Sequence, residues 1–323
     1  MNQPKPGPVA GISLSESPDL AALGYGVEHL NELTLAVART LLHLRVGDAP
    51  WSLAYGGDLR PGGFTWNILN LAHAEEAGGG PRLYSYLAWP SYLDLTKSDE
   101  AELINVCNFV RVTPEQAGFP GLPWDQPRDD PALEDRSFVV ARCLSAMRRL
   151  MTQGGAQVLD GGTAPPMAAR LILGGKVSGY RGAMPGLFEE FLLAWEQAVP
   201  IFVLGGLGGA AGVLGRAILA GEGGPLPAEI SLDWQRHHTP ALPELLACYA
   251  RHPEVEQVEP LEALYARLAK AVTAARAELH SGSEAPLRNG LTPAENRLLI
   301  QTEDPTEMRH LLARGLGCIP AAG

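Results

Sequence analysis

Residues 52–69, SLAYGGDLRPGGFTWNIL, set a short apolar run against two glycines, an aspartate and an arginine, followed by two more glycines and an apolar segment. An apolar run of this length ending in glycine reads as a buried strand. FTWNILNLAHAEEAG, with its spaced apolar residues, reads as a helix. The junction decides the fold because it recurs. AARLILGG is followed by PGLFEEFLLAWEQA, and PIFVLGG by AAGVLGRAILAG. Working outward, PVAGISLS (8–15) is a first strand. A long helix then runs from about Asp19, behind Pro18, to His43, with Leu30, Leu33, Val37, Leu41 and Leu44 at helical spacing. RLYSYLAWP and NFVRVT (108–113) read as two further strands, residues 114–134 with their five prolines as a connection, and SFVVARCLSAMRRLMTQ as a helix.

Strands alternating with helices predict an α/β fold, a Rossmann-like, mostly parallel sheet with helices on both faces. Residues 1–222 form this domain, and residues 223–323, Pro-rich and then helical over about 260–280 with a final PAENRLLIQ…EMRHLLARGL segment, form a helical C-terminal extension packed on it. Ligands of such sheets bind at the carboxyl ends of the strands. The pairs Gly56-Gly57, Gly174-Gly175 and Gly205-Gly206 each follow an apolar strand. Glycine there tolerates positive φ and close approach of a ligand, and the next helix offers N–H groups to an anion. Three such turns on one sheet edge predict a nucleotide-like site, with purely structural turns as the alternative reading.

Two stretches narrow the candidates. In YGGDLRPGGFT, Asp58 can accept from ribose hydroxyls and Arg60 can fork onto a phosphate, with Gly62 and Gly63 completing the turn. In LGGKVSGYRGAMPGLFEEF, Lys176 and Arg181 supply positive charge, and Pro185 and Gly186 open a helix with Glu189 and Glu190 in its first turn. Ser13 and Ser15 point at the same crevice, although Ser15-Glu16-Ser17-Pro18-Asp19 can equally be a helix cap. Trp66, Trp89 and Trp124 offer either a stacking surface or core packing.

Composition limits the partners. The chain has 323 residues, 46% apolar and 19% charged, with a net charge of −11. An acidic chain without a basic run argues against long nucleic acid, where Lys and Arg contacts to phosphate supply most of the affinity. The four cysteines are scattered without a CxxC pair and read as free thiols in a reducing compartment. MNQPKPGPVAG lacks the apolar core of a signal peptide, and no stretch reaches 18 apolar residues, so a cytoplasmic protein away from membranes is expected. There is no GxSxG elbow, and GGLGGAAG (205–212) lacks the acidic ribose-binding residue that a dinucleotide fingerprint needs. His237 and His238 are adjacent and do not share a helix face, so they make a poor metal pair. No metal or cofactor is expected.

The arrangement resembles the SLOG superfamily of DprA-like and Lonely-Guy-like Rossmann proteins over about residues 8–220. Tyr55-Gly56-Gly57 resembles the YGGG-type turn of Lonely-Guy phosphoribohydrolases. Gly186-Leu187-Phe188-Glu189-Glu190 resembles the GTxxE part of their PGGxGTxxE motif, which places Glu190 on the family's catalytic glutamate. The family's arginine on the preceding helix would correspond to Arg142 or Arg148 in ARCLSAMRRLM, and Arg142 is taken as the catalytic candidate. The chain departs from the pattern at two places: Leu187 stands where the motif has threonine, and Ala183-Met184 precede Pro185, displacing a glycine. The layout is closest to the stand-alone or effector-linked SLOG domains of bacterial signalling and anti-phage systems. The resemblance implies a homodimer that binds a nucleotide or nucleotide-derived signal, ADP-ribose-like, as a sensor. The alternative it implies is an N-glycosidic hydrolase of nucleotides, with Glu190 as acid–base and the arginine orienting the substrate.

Overall fold

The structure, a computed structural model, describes residues 7–17, 19–57, 63–75, 80–131, 133–252, 255, 259–283 and 285–320. Asp58, Arg60 and Gly62 lie outside them. The strands in chain order are β1 (Val9–Ser15), β2 (Arg45–Val46), β3 (Ala49–Pro50), β4 (Ser52–Gly56), β5 (Leu83–Ala88), β6 (Asn108–Val112), β7 (Ala169–Gly174) and β8 (Ile201–Leu204). β2 and β3 form a separate antiparallel ribbon, and the other six form one sheet in the order β6-β5-β4-β1-β7-β8. Each neighbouring pair in that sheet is parallel.

Helices α1 (Val27–His43), α2 (Phe64–Ala74) and α3 (Lys97–Val106) link β1 to β6 stepwise toward one edge. From β6 the chain crosses through α4 (Arg136–Gln153) to β7 on the far side of β1, and α5 (Gly186–Glu196) steps outward to β8. Right-handed crossovers in opposite directions put α1–α3 and α4–α5 on opposite faces. The sequence pattern supports this: β7, ARLILG, is buried at every position, as a strand covered on both sides must be. The direction of winding reverses between β1 and β7, the switch point at whose carboxyl ends sheets of this kind bind ligands.

After β8 come α6 (Gly209–Leu219), α7 (Leu232–His238), α8 (Leu242–Arg251), α9 (Leu261–His280), α10 (Pro293–Gln301) and α11 (Pro305–Gly317). They are bound closely to the sheet. α8 packs on α4, α9 on α5 and α6, α10 on β8, and α11 on α1. Asn289 donates to the Ile201 carbonyl at 2.7 Å and to Asn296 Oδ1 at 2.7 Å, tying the last helices to the edge strand.

The fold is the expected α/β one, with several local differences. α1 starts at Val27 rather than near Asp19, because residues 19–24 form turns, Gly24 takes φ +81°, and Asp19 is engaged elsewhere. α3 went unread, although Thr96 and Asp99 form a reciprocal cap at its start. The stretch around WQRHHTP, read as Pro-rich, contains α7, started by Ser231 accepting from the Trp234 amide. Among the described residues no helix is long and apolar enough to cross a membrane.

Candidate functional site

Buried between β1, β7, α4 and α5, four charged side chains and two hydroxyls close on one another. Ser13 lies on β1, Arg170 on β7, Arg148 and Thr152 on α4, and Glu189 and Glu190 on α5. Ser13 Oγ donates to Glu190 Oε2. Arg170 Nη1 donates to the same carboxylate oxygen at 2.9 Å and lies 3.2 Å from Ser13 Oγ, while Nη2 donates to Thr152 Oγ1 at 2.8 Å. Arg148 Nη1 donates to Glu189, and its Nε lies 3.5 Å from Glu190 Oε1. Two guanidiniums thus face two carboxylates, and the set is neutral.

The neighbouring backbone is shaped for these groups. Arg170 is fully buried, opposite Gly11 of β1, where an added methyl group would strike the end of Met167 at 2.4 Å and lie 3.1 Å from Nη1. Methyl groups on Gly182 and Gly186 would come to 3.0 and 2.8 Å from the Arg148 guanidinium. Burial pushes the Arg170 guanidinium below its ordinary value, and the Glu190 carboxylate opposes that shift. A charge this deep is tolerated because it is paired and hydrogen-bonded.

Of the arginines weighed from the sequence, Arg148 reaches Glu190 and the preferred candidate Arg142 does not. Arg142 lines a cleft of about 200 Å³ together with Glu189, and its side chain hydrogen-bonds Tyr249. Arg170 was missed altogether. One arginine inside the apolar AARLILGG was the available signal, since such a strand buries a charge only with partners. Glu189 and Glu190 are 5% and 7% exposed and are held by the arginines rather than serving the helix start.

The glycine turns have internal reasons. A methyl at Gly56 would strike Met147 Cε at 2.8 Å, and one at Gly57 would strike Thr65 Oγ1 at 2.1 Å. Gly174 and Gly175 take φ +62° and +95°, and a methyl on Gly175 would meet Leu187 at 2.5 Å. Their amides are used too: Gly175 N–H donates to the Ser15 carbonyl at 2.9 Å, and Lys176 N–H to Ser15 Oγ at 3.3 Å. Gly205 and Gly206 belong to a different environment, where methyl groups would lie 2.7 and 2.2 Å from the Ile300 and Thr302 carbonyls. The N-terminus of α6, expected to receive an anion, holds the carboxylate of Asp19, which accepts from Gly209 N–H at 2.8 Å.

Other expected residues fall as follows. Gly63 is the N-cap of α2, Pro185 that of α5, and Gly186 the first residue of α5. Trp89 is fully buried and belongs to the core, whereas Trp124 is 52% exposed over Arg111. Lys176 and Arg181 are exposed on the loop from β7 to α5, and their side chains have no ion-pair partner among the described residues. Among those residues no cluster of His, Cys, Asp or Glu could hold a metal ion.

The sequence matches the family described as SLOG cluster2 over residues 6–299, most of the chain. The chain belongs to the SLOG family. The match extends through α9 and most of α10, so these helices lie within the family's own bounds. SLOG membership is associated with binding or processing of nucleotide-related ligands. No curated protein matches the sequence.

Proposed function

We propose that this SLOG protein binds a nucleotide or nucleotide-derived anion, ADP-ribose-like, at the carboxyl edge of its sheet and acts as a sensor. The observation that carries the reading is a pair of exposed cations, Lys176 and Arg181, on the loop leaving β7, with no ion-pair partner among the described residues, beside a buried network of two arginines and two glutamates. A phosphate arriving there meets positive charge, with no carboxylate paired to it among the described residues. A homodimer and a role in signalling such as anti-phage defence are part of this proposal.

Binding is favoured over hydrolysis by the state of Glu190. An acid–base carboxylate must come within about 2.6–3.2 Å of the proton it transfers. Glu190 is 7% exposed and already faces Ser13, Arg170 and Arg148. The hydrolase alternative keeps one supporting observation, the coincidence of Glu190 with the motif glutamate beside an arginine of the preceding helix. The test is thermal shift against nucleotides, ADP-ribose and cyclic ADP-ribose isomers, with chromatography of each mixture. A ligand specific to the native state stabilises it by about 2.7 kcal/mol at a hundredfold excess over Kd. A shift with the ligand recovered intact supports the sensor. Released base that disappears in Glu190→Gln would replace that reading with the hydrolase.

A further inference from the structure

Beside the β7–α5 loop lies a cleft of about 300 Å³. Its apolar walls are Pro90, just after β5, Val140 on α4, and Leu242 and Leu245 on α8. Three arginines line the same cleft: Arg128 from the connection before α4, Arg136 at the first position of α4, and Arg181. Thus the sheet half of the chain supplies the charge and one wall, and the last third supplies the facing wall. The volume is at the lower end of small-molecule sites, about 300–1,000 Å³, which suits a single ring system rather than a dinucleotide.

The arginines are open to an incoming anion to different degrees. Arg128 pairs with Asp94, and Arg136 pairs with Asp129 at 3.2 Å, where Asp129 is 87% exposed. Exposed pairs of this kind contribute little, and each uses only part of a guanidinium with five donors. Arg181 has no carboxylate partner among the described residues. Three guanidiniums beside an apolar slot match a compact dianion attached to a flat, weakly polar body.

We propose that this cleft binds an aromatic phosphomonoester of mononucleotide size, with the ring between α4 and α8 and the phosphate on Arg128, Arg136 and Arg181. The proposal rests on the anion-binding reading above through Arg181, and narrows its ligand from ADP-ribose-like to a single ring bearing a terminal phosphate. It also gives α8 a part in recognition. The end of that helix is tied to the start of α4, because Arg251 and His252 both bond Asp135, the latter at 2.7 Å. A ligand in the cleft therefore joins the same two helices a second time.

The experiment is calorimetric titration of the full chain with AMP and with 1-naphthyl phosphate, adenosine and inorganic phosphate serving as half-ligands. Expected results are binding of both phosphomonoesters, at least tenfold weaker binding of each half-ligand, and a loss of at least tenfold in Arg181→Ala and in Arg136→Ala. Leu245→Trp, or Leu242→Trp if the first variant does not fold by circular dichroism, should fill the cleft and abolish binding. Amides of α8 should exchange more slowly with AMP bound. If AMP binds the tryptophan and Arg136→Ala variants as it binds the wild type, the cleft is not its seat and this proposal falls, while the anion-binding reading stands. If neither phosphomonoester binds the wild type, the proposal also falls. The anion-binding reading fails with it only if the wider nucleotide panel gives no shift either.

Discussion

Arg170 combines complete burial with full charge, and its neighbours show what that requires. Its guanidinium is divided between Glu190 and Thr152, and Gly11 clears the space beside it. Removing one partner of a buried pair strands the other, typically at a cost of about 3–5 kcal/mol. Arg170→Met should therefore destabilise the protein by about that amount in urea titration. Adding Glu190→Gln to Arg170→Met should cost less than Glu190→Gln costs in the wild type, because no guanidinium at 170 is then left without its carboxylate. An additive result would show that the two side chains do not share this energy. This network was only half legible. GLFEE marked Glu190 through a motif, but nothing in AARLILGG told that a guanidinium at 170 would span to a carboxylate 20 residues later.

At the scale of elements, helix ends decide what binds where. Asp19 caps α6 from a loop 190 residues earlier in the chain, so that helix start is satisfied internally. Losing such a carboxylate costs about 0.5–2 kcal/mol. Asp19→Ala should lower the stability by about that much without changing nucleotide binding, as read by paired melting and calorimetry. A second case is Asp135, the N-cap of α4, with φ +48°. The Arg251 guanidinium, with help from His252, holds its carboxyl down at about 2, below the ordinary 3.8. A depressed carboxyl contributes stability above its unfolded value and loses it as pH falls through the folded one. The advantage of wild type over Asp135→Asn should be complete above about pH 4 and fade toward pH 2. An advantage that persists unchanged at pH 2 would separate Asp135 from the acid sensitivity of the α4–α8 contact.

At the scale of the whole molecule, residues from Val9 to Ile319 contribute to one contiguous apolar core. Unfolding by heat or urea should accordingly be one transition, with tryptophan fluorescence and helix circular dichroism coinciding. Two separated transitions would mean that the last third folds independently. Burial pushes the Cys107 and Cys143 thiols up to about 12, and Cys248 is raised as well, by burial and Asp135. Cys318 is exposed. Since the thiolate is the reactive form, a thiol reagent should label Cys318 quickly in the native protein and the other three only after unfolding.

The sequence by itself determined the parallel sheet, because fully apolar strands punctuated by glycine and alternating with amphipathic helices leave few other arrangements. It also marked Glu190, since a helix start after such a strand is a local pattern. Only the tertiary structure decided which arginine meets that glutamate, why the glycines are small, and that Asp19 rather than a ligand occupies the start of α6. Those outcomes depend on contacts between residues far apart in the chain. Local spacing records the face a residue belongs to, but not the side chain that will face it.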